Sequence, residues 1–129
     1  MKRTLALFGV ALLIASGSLA VSRTFAYGGP ADVTVKGEII DEPCYVNKGG
    51  AHGEAHKACG VSCAKRGNQL AVLEEDSNTV YLITGDYSAN KNEKLIPFVA
   101  EIVEATGTVT EKDGKKYIEV TSIKKAEMK

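Results

Sequence analysis

The chain carries no excess of positive charge: 16 Lys and Arg stand against 16 Asp and Glu in 129 residues. A nucleic-acid binder shows a basic patch or stripe, so nucleic acid is not an expected partner. Several kinds of chemistry have no foothold either. No C-x-x-C-H run offers a c-type haem attachment, and no phosphate loop, Ser/His/Asp set or paired-carboxylate motif stands out. The pairs Gly28-Gly29 and Gly49-Gly50 read as flexible spacers. The protein is not expected to be an enzyme. Long apolar runs are missing but for one, Leu5 to Ala20.

That run follows Lys2-Arg3 and contains no charged residue. It is too short, and too rich in Gly, Ala and Ser toward its end, for a membrane span, and it suits the apolar core of a signal peptide. Residues 1–26 are read as a signal peptide with a helical core. Small residues permit cleavage after Ala20 or after Ala26. The second is preferred, because Tyr27-Gly28-Gly29-Pro30 then makes a loose new N-terminus. An uncleaved anchor is the alternative. No Cys follows the core to carry a lipid. The expected location is periplasmic or secreted, with no stable membrane insertion after cleavage. Cleavage removes Lys2, Arg3 and Arg23 and no acid, so residues 27–129 are acidic by three charges. About a hundred residues form one small domain with a modest core, to which a metal or a disulfide adds stability.

Five segments read as strands. Val33 to Ile40 alternates, with Val33, Val35, Gly37 and Ile39 on one face, and Asp41-Glu42-Pro43 ends it. Gln69–Glu74 and Thr79–Thr84 are apolar and partly β-branched, joined by a tight connection over Glu75–Asn78. A polar stretch over 85–97 suits a short helix or an irregular crossing. Val99–Glu111 places Val103, Ala105, Gly107 and Val109 on one face; Asp113-Gly114 signals a hairpin, and Lys116–Lys124 is the last strand. Gly37 and Gly107 mark bends or bulges. The expected fold is mainly β: a five-stranded OB-like barrel over 27–129 with a Cys/His-bearing helical insert at 41–68, between strands one and two. A sandwich of the same strands is the alternative.

All three Cys and both His fall between positions 44 and 63. Within the insert, Glu54 to Lys65 has helical composition and Arg66-Gly67-Asn68 is a stop. His56, Cys59 and Cys63, at i, i+3 and i+7, then share one helix face. Cys44 follows the first strand, and a flexible stretch from Val46 to Gly53 lets the helix fold back on it. Cys44, His56, Cys59 and Cys63 thus form a Cys3His ligand set, with His52 as the substitute ligand. Sulfur-rich tetrahedral sites suit zinc first, then cuprous copper or iron. The spacing is not a standard zinc-finger spacing.

Export supports a competing reading. Exported cysteines tend to be oxidised, so the three could form one disulfide and leave one free thiol, in a stapled interaction domain. A redox-active thiol pair is a third reading. Glu54 lies near enough in sequence to be a general base, but a Glu in a first helical turn is better explained by the helix dipole.

The segments VKGEIIDEPCY, HKACGVSCAKRGNQLAVLEED, VYLITGD and ATGTVTEKDGKKYIEVTSI together resemble a group of small exported bacterial OB-fold proteins, whose pattern runs GxVVDxxCY…HxxCAxxCxxxGxPxxLL. Here Gly60 stands where that pattern usually has Ala, and Gln69 where it has Pro. The resemblance implies an OB-fold, export, and one site containing Cys44, His56, Cys59 and Cys63. It implies no activity.

Overall fold

The structure is a computed structural model that describes residues 31–127. The signal peptide expected over 1–26 and both cleavage points lie outside the described residues. Five strands, β1 (Asp32–Asp41), β2 (Leu70–Glu74), β3 (Val80–Thr84), β4 (Ile102–Lys112) and β5 (Lys115–Lys125), build one mixed sheet. Their pairings run β1-β2-β3-β5-β4 and return to β1, which closes the sheet. All neighbours are antiparallel except β3 and β5.

Closure depends on β1 serving two partners. Its first part pairs with β4 from Asp32 to Glu38, and its last part with β2 from Gly37 to Asp41. The strand bends where these overlap. A Cβ at Gly37 would lie 2.1 Å from the Leu73 carbonyl oxygen, so no side chain fits there. Gly107 in β4 is its counterpart, with a Cβ position 2.1 Å from the Glu119 oxygen. The β4–β5 register also shifts between Thr106 and Gly107, the signature of a bulge that increases local bend and twist.

The two-residue Asp113-Gly114 connection has positive φ at both residues, as a type I′ hairpin turn requires. Ile39, Val72, Ile83, Val103, Ala105 and Ile118 fill the interior. Val33 departs from the expected inward face and is 40% exposed, because it lies toward the outer end of β1. From Gly37 to Asp41, by contrast, every residue of β1 is buried. One face meets the barrel core, and the segment between β1 and β2 covers the other.

That segment holds a helix the sequence reading missed. Glu42–Asn47 forms α1, six residues with Pro43 in its first turn, where a missing N–H costs nothing. The flexible stretch is accordingly shorter than expected and includes Gly49, Gly50 and Gly53, all with positive φ. A single 3-10 turn at Glu54–His56 leads into α2, Lys57–Lys65. Gly67, at φ 93°, ends α2 and lets the Asn68 N–H reach the Cys63 carbonyl. Ala64 is fully buried against the barrel core, so α2 caps one end of it. Gly60 faces Val99: the Cβ of an alanine would sit 3.0 Å from Val99 Cγ1, so that side chain would have to give way.

The crossing between β3 and β4 is irregular. Asn90, Lys91 and Asn92 are all left-handed, a conformation disfavoured by about 1–2 kcal/mol per residue for most side chains. The turn delivers the buried Asn92 amide to the end of α2. Its Nδ2 donates to the carbonyls of Ala64 at 3.0 Å and Asn68 at 2.8 Å. At the other end of α2, Lys57 pairs with Glu101 at 2.7 Å.

Two substitutions test this frame by chemical denaturation. Gly107→Ala is expected to destabilise the protein by about 1–3 kcal/mol or more, the cost of overpacking against backbone that cannot move aside. Asn92→Ala removes both bonds, leaving the Asn68 carbonyl without its donor while Ala64 keeps the Gly67 N–H, and is expected to cost about 1–3 kcal/mol.

Candidate metal centre

Asp41 is the last residue of β1 and the residue before α1. An Asp in that place ordinarily caps the helix with its carboxylate. Here the side chain makes no capping bond. It is 1% exposed, and neither oxygen has a hydrogen-bond partner. An unpaired buried carboxylate costs several kcal/mol, so native structures rarely keep one without a cation or a donor nearby.

The groups around Asp41 are metal-ligand types. Cys44, one turn along α1, is buried, and its sulfur lies within 4.8 Å of one Asp41 oxygen and of a His56 ring nitrogen, which also lie within that distance of each other. The same sulfur is within 4.8 Å of those of Cys59 and Cys63, which are equally close to each other. The donors thus form two triads that share Cys44. His56 sits at the junction of the 3-10 turn and α2; its Nε2 is buried and has no partner. Cys63 is buried, whereas Cys59 is exposed and forms the solvent side of the cluster. No two of the three cysteines are joined by a disulfide.

His52 stands elsewhere. It is exposed on the loop, with Nδ1 2.6 Å from the Gly50 carbonyl oxygen and its ring edge-on to Tyr45. It belongs to neither triad. Glu54 is exposed and reaches Lys57, on the outer side of α2's start. Glu38 has a positioning part: its Oε1 accepts the Gly53 N–H at 2.5 Å and so anchors the loop that leads into His56.

The electrostatics follow from Asp41. The Cys44 thiol is turned toward the carboxylate as a donor, although the approach falls short of a well-formed hydrogen bond. That contact, burial, and the negative charge itself push its pKa up to about 12. Cys63 is pushed up by the same contact with Asp41, again with burial and the carboxylate's charge. Arg66 opposes the shift at Cys63, where its Nη2 lies 2.9 Å from the sulfur. Without a cation, the cluster keeps its buried thiols protonated around one carboxylate. A metal ion would reverse this, since it binds thiolate and carboxylate together.

Asp41 is the residue that sequence reading passed over. Its signal is the D of the DxxC spacing to Cys44, which in sequence equally suits the end of a strand. A surface recess of about 760 Å³ lies away from the cluster and is lined by Lys36, Glu75, Glu104 and Lys124, charges that pair with one another.

The raised Cys44 pKa makes a prediction for the metal-free, reduced protein. In the unfolded chain this thiol ionises near 9, and in the folded one near 12. Its contribution to stability is therefore complete below pH 9 and lost as pH rises toward 12. Denaturation midpoints should fall between pH 8 and pH 10.5, and Cys44→Ser should flatten that fall. No protein family model, curated protein or solved structure matches the chain.

Proposed function

We propose that this protein is an exported, OB-like metal-binding domain whose cluster holds a transition metal, with zinc the first choice. The observation that carries the reading is the buried Asp41 carboxylate, without a partner, beside the sulfur of Cys44, which is itself within 4.8 Å of those of Cys59 and Cys63. In a tetrahedral zinc site with Zn–S bonds of about 2.3 Å, ligand sulfurs stand about 3.8 Å apart. The spacing of the three sulfurs is compatible with that after small side-chain rotations. Cys44, Cys59 and Cys63 supply three ligands, and the Asp41/His56 side supplies the fourth. Soft thiolates also suit cuprous copper, and iron takes the same donors.

The OB-like name is supported by the five-stranded closed circuit with one parallel pair. Export rests on residues 1–26 of the sequence. The role we favour is structural or metal-handling rather than catalytic. Exposed Cys59 supports metal handling, because one ligand is open to exchange with another carrier's thiol.

The test is to purify the protein from an extracytoplasmic compartment, measure bound metal, and count thiols after denaturation. Bound metal with three titratable thiols is the expected result. No metal with a single thiol would sink the reading in favour of the disulfide-stapled domain. Cys44→Ser should lower zinc affinity by more than about 100-fold, beyond the 10–100-fold typical of losing an outer-shell partner. A competition titration against a chelator reads this directly.

A further inference from the structure

The donors divide into a sulfur triad, Cys44, Cys59 and Cys63, and a mixed triad, Asp41, Cys44 and His56. The geometry points to a binuclear centre: a second divalent transition-metal ion bound by Asp41 and His56, sharing the Cys44 thiolate with the ion in the sulfur triad. This inference rests on the metal-binding reading above and specifies its stoichiometry.

Three observations carry it. First, both Asp41 oxygens and His56 Nε2 are the buried side-chain atoms without partners among the described residues. They belong to the same triad. A single ion among the three sulfurs takes one further donor in a tetrahedral shell, which would leave the others of this group unsatisfied. Second, a small, partly open space of about 10 Å³ lies against Asp41 and His56. Glu38, His52, Gly53, Gly60 and Val99 also border it, but none of the three cysteines does. Asp41 and His56 therefore have room beside them that the sulfurs do not border. That volume is about one probe sphere, enough for a water to complete the shell of an ion held between Asp41, His56 and Cys44. Third, the donor set carries more negative charge than one divalent ion offsets. Three thiolates and one carboxylate carry four negative charges and the Arg66 guanidinium beside Cys63 offsets one, so a single divalent ion leaves negative charge in a site where leftover charge is costly.

Sharing falls to Cys44 because of where it sits. It is the member common to both triads, and it is buried one turn into α1, next to Asp41 in the chain. A thiolate has the lone pairs to bridge two ions, and Cys44 is the thiolate both can reach. Glu38, through its bond to the Gly53 N–H, holds the loop that presents His56.

The experiment is an anaerobic titration of the reduced, metal-free protein with Zn(II) and, separately, Co(II). The wild-type protein is expected to take up two equivalents. Asp41→Asn and His56→Gln should each hold one, with the thiolate-to-Co(II) charge-transfer band of the sulfur triad retained. Saturation of the wild type at one equivalent would overturn the inference while leaving the metal-binding reading intact. No uptake at all would remove both. Retention of two equivalents by the variants, or loss of both ions from a variant still folded by circular dichroism, would also overturn it. A measurement on the unaltered protein covers the case of variants that do not fold. Two Co(II) ions bridged by a thiolate couple magnetically, so the electron paramagnetic resonance signal of the first equivalent should fall as the second binds. A signal that simply doubles would rule out the shared Cys44.

Discussion

The structure depends on β1 being shared between two neighbours. β4 takes its first part and β2 its last, and the exchange occurs at Gly37, where no Cβ fits. Because the strand keeps pairing with β2 through Asp41, that acidic residue is carried to the end of the barrel and held there. The chain must then get from the end of β1 to the start of β2. It does so over the same barrel end, with α2 packed on the core through Ala64. Asp41 is thereby sealed beneath the segment that contains all three cysteines. Barrel closure and the composition of the site are one constraint.

This arrangement places an acid where acids are costly. Asp41 stands in a capping position yet does not cap, and its closeness and charge, together with their own burial, push up the thiol pKa values of Cys44 and Cys63. In the metal-free form Asp41 sits beside two buried thiols whose ionisation is pushed up, an arrangement held by the rest of the fold. The surroundings show what holds it. Asn92 ties down the C-terminal end of α2 and Lys57 pairs its start with Glu101, while Glu38 fixes the loop before His56. The left-handed turn at Asn90–Asn92 is tolerated because it brings that buried amide to two carbonyls. That turn thus helps keep the end of α2, and Cys63 with it, in place.

Much of the frame was legible in the chain. Alternation in Val33–Ile40 and Val99–Glu111, the Asp113-Gly114 turn and the glycines at 37 and 107 are short-range signals, and the strands, hairpin and bends lie where those signals put them, within a few residues. The helix after Glu54 and its stop at Gly67 were legible for the same reason. The six-residue α1 was not, because Glu42–Asn47 is too short to show a helical period. Val99 was read into β4, but it follows a 3-10 turn and makes only a lone bridge to Ile39. Val33 alternates correctly yet is exposed, since alternation says which residues share a face and not where along a strand that face stops being covered.

The site divides along the same line. That three cysteines and His56 lie within twenty residues, and that His56, Cys59 and Cys63 fall on one side of a helical stretch, is a property of spacing that needs no fold. That Cys44 belongs with both Cys59/Cys63 and His56, that His52 stands apart, and that Asp41 joins the group are results of tertiary structure. The physical reason is burial. A carboxylate at the end of a strand looks the same in sequence whether it meets water or not, and only the closing of the barrel and the packing of α2 above it removed the water and made Asp41 part of the site.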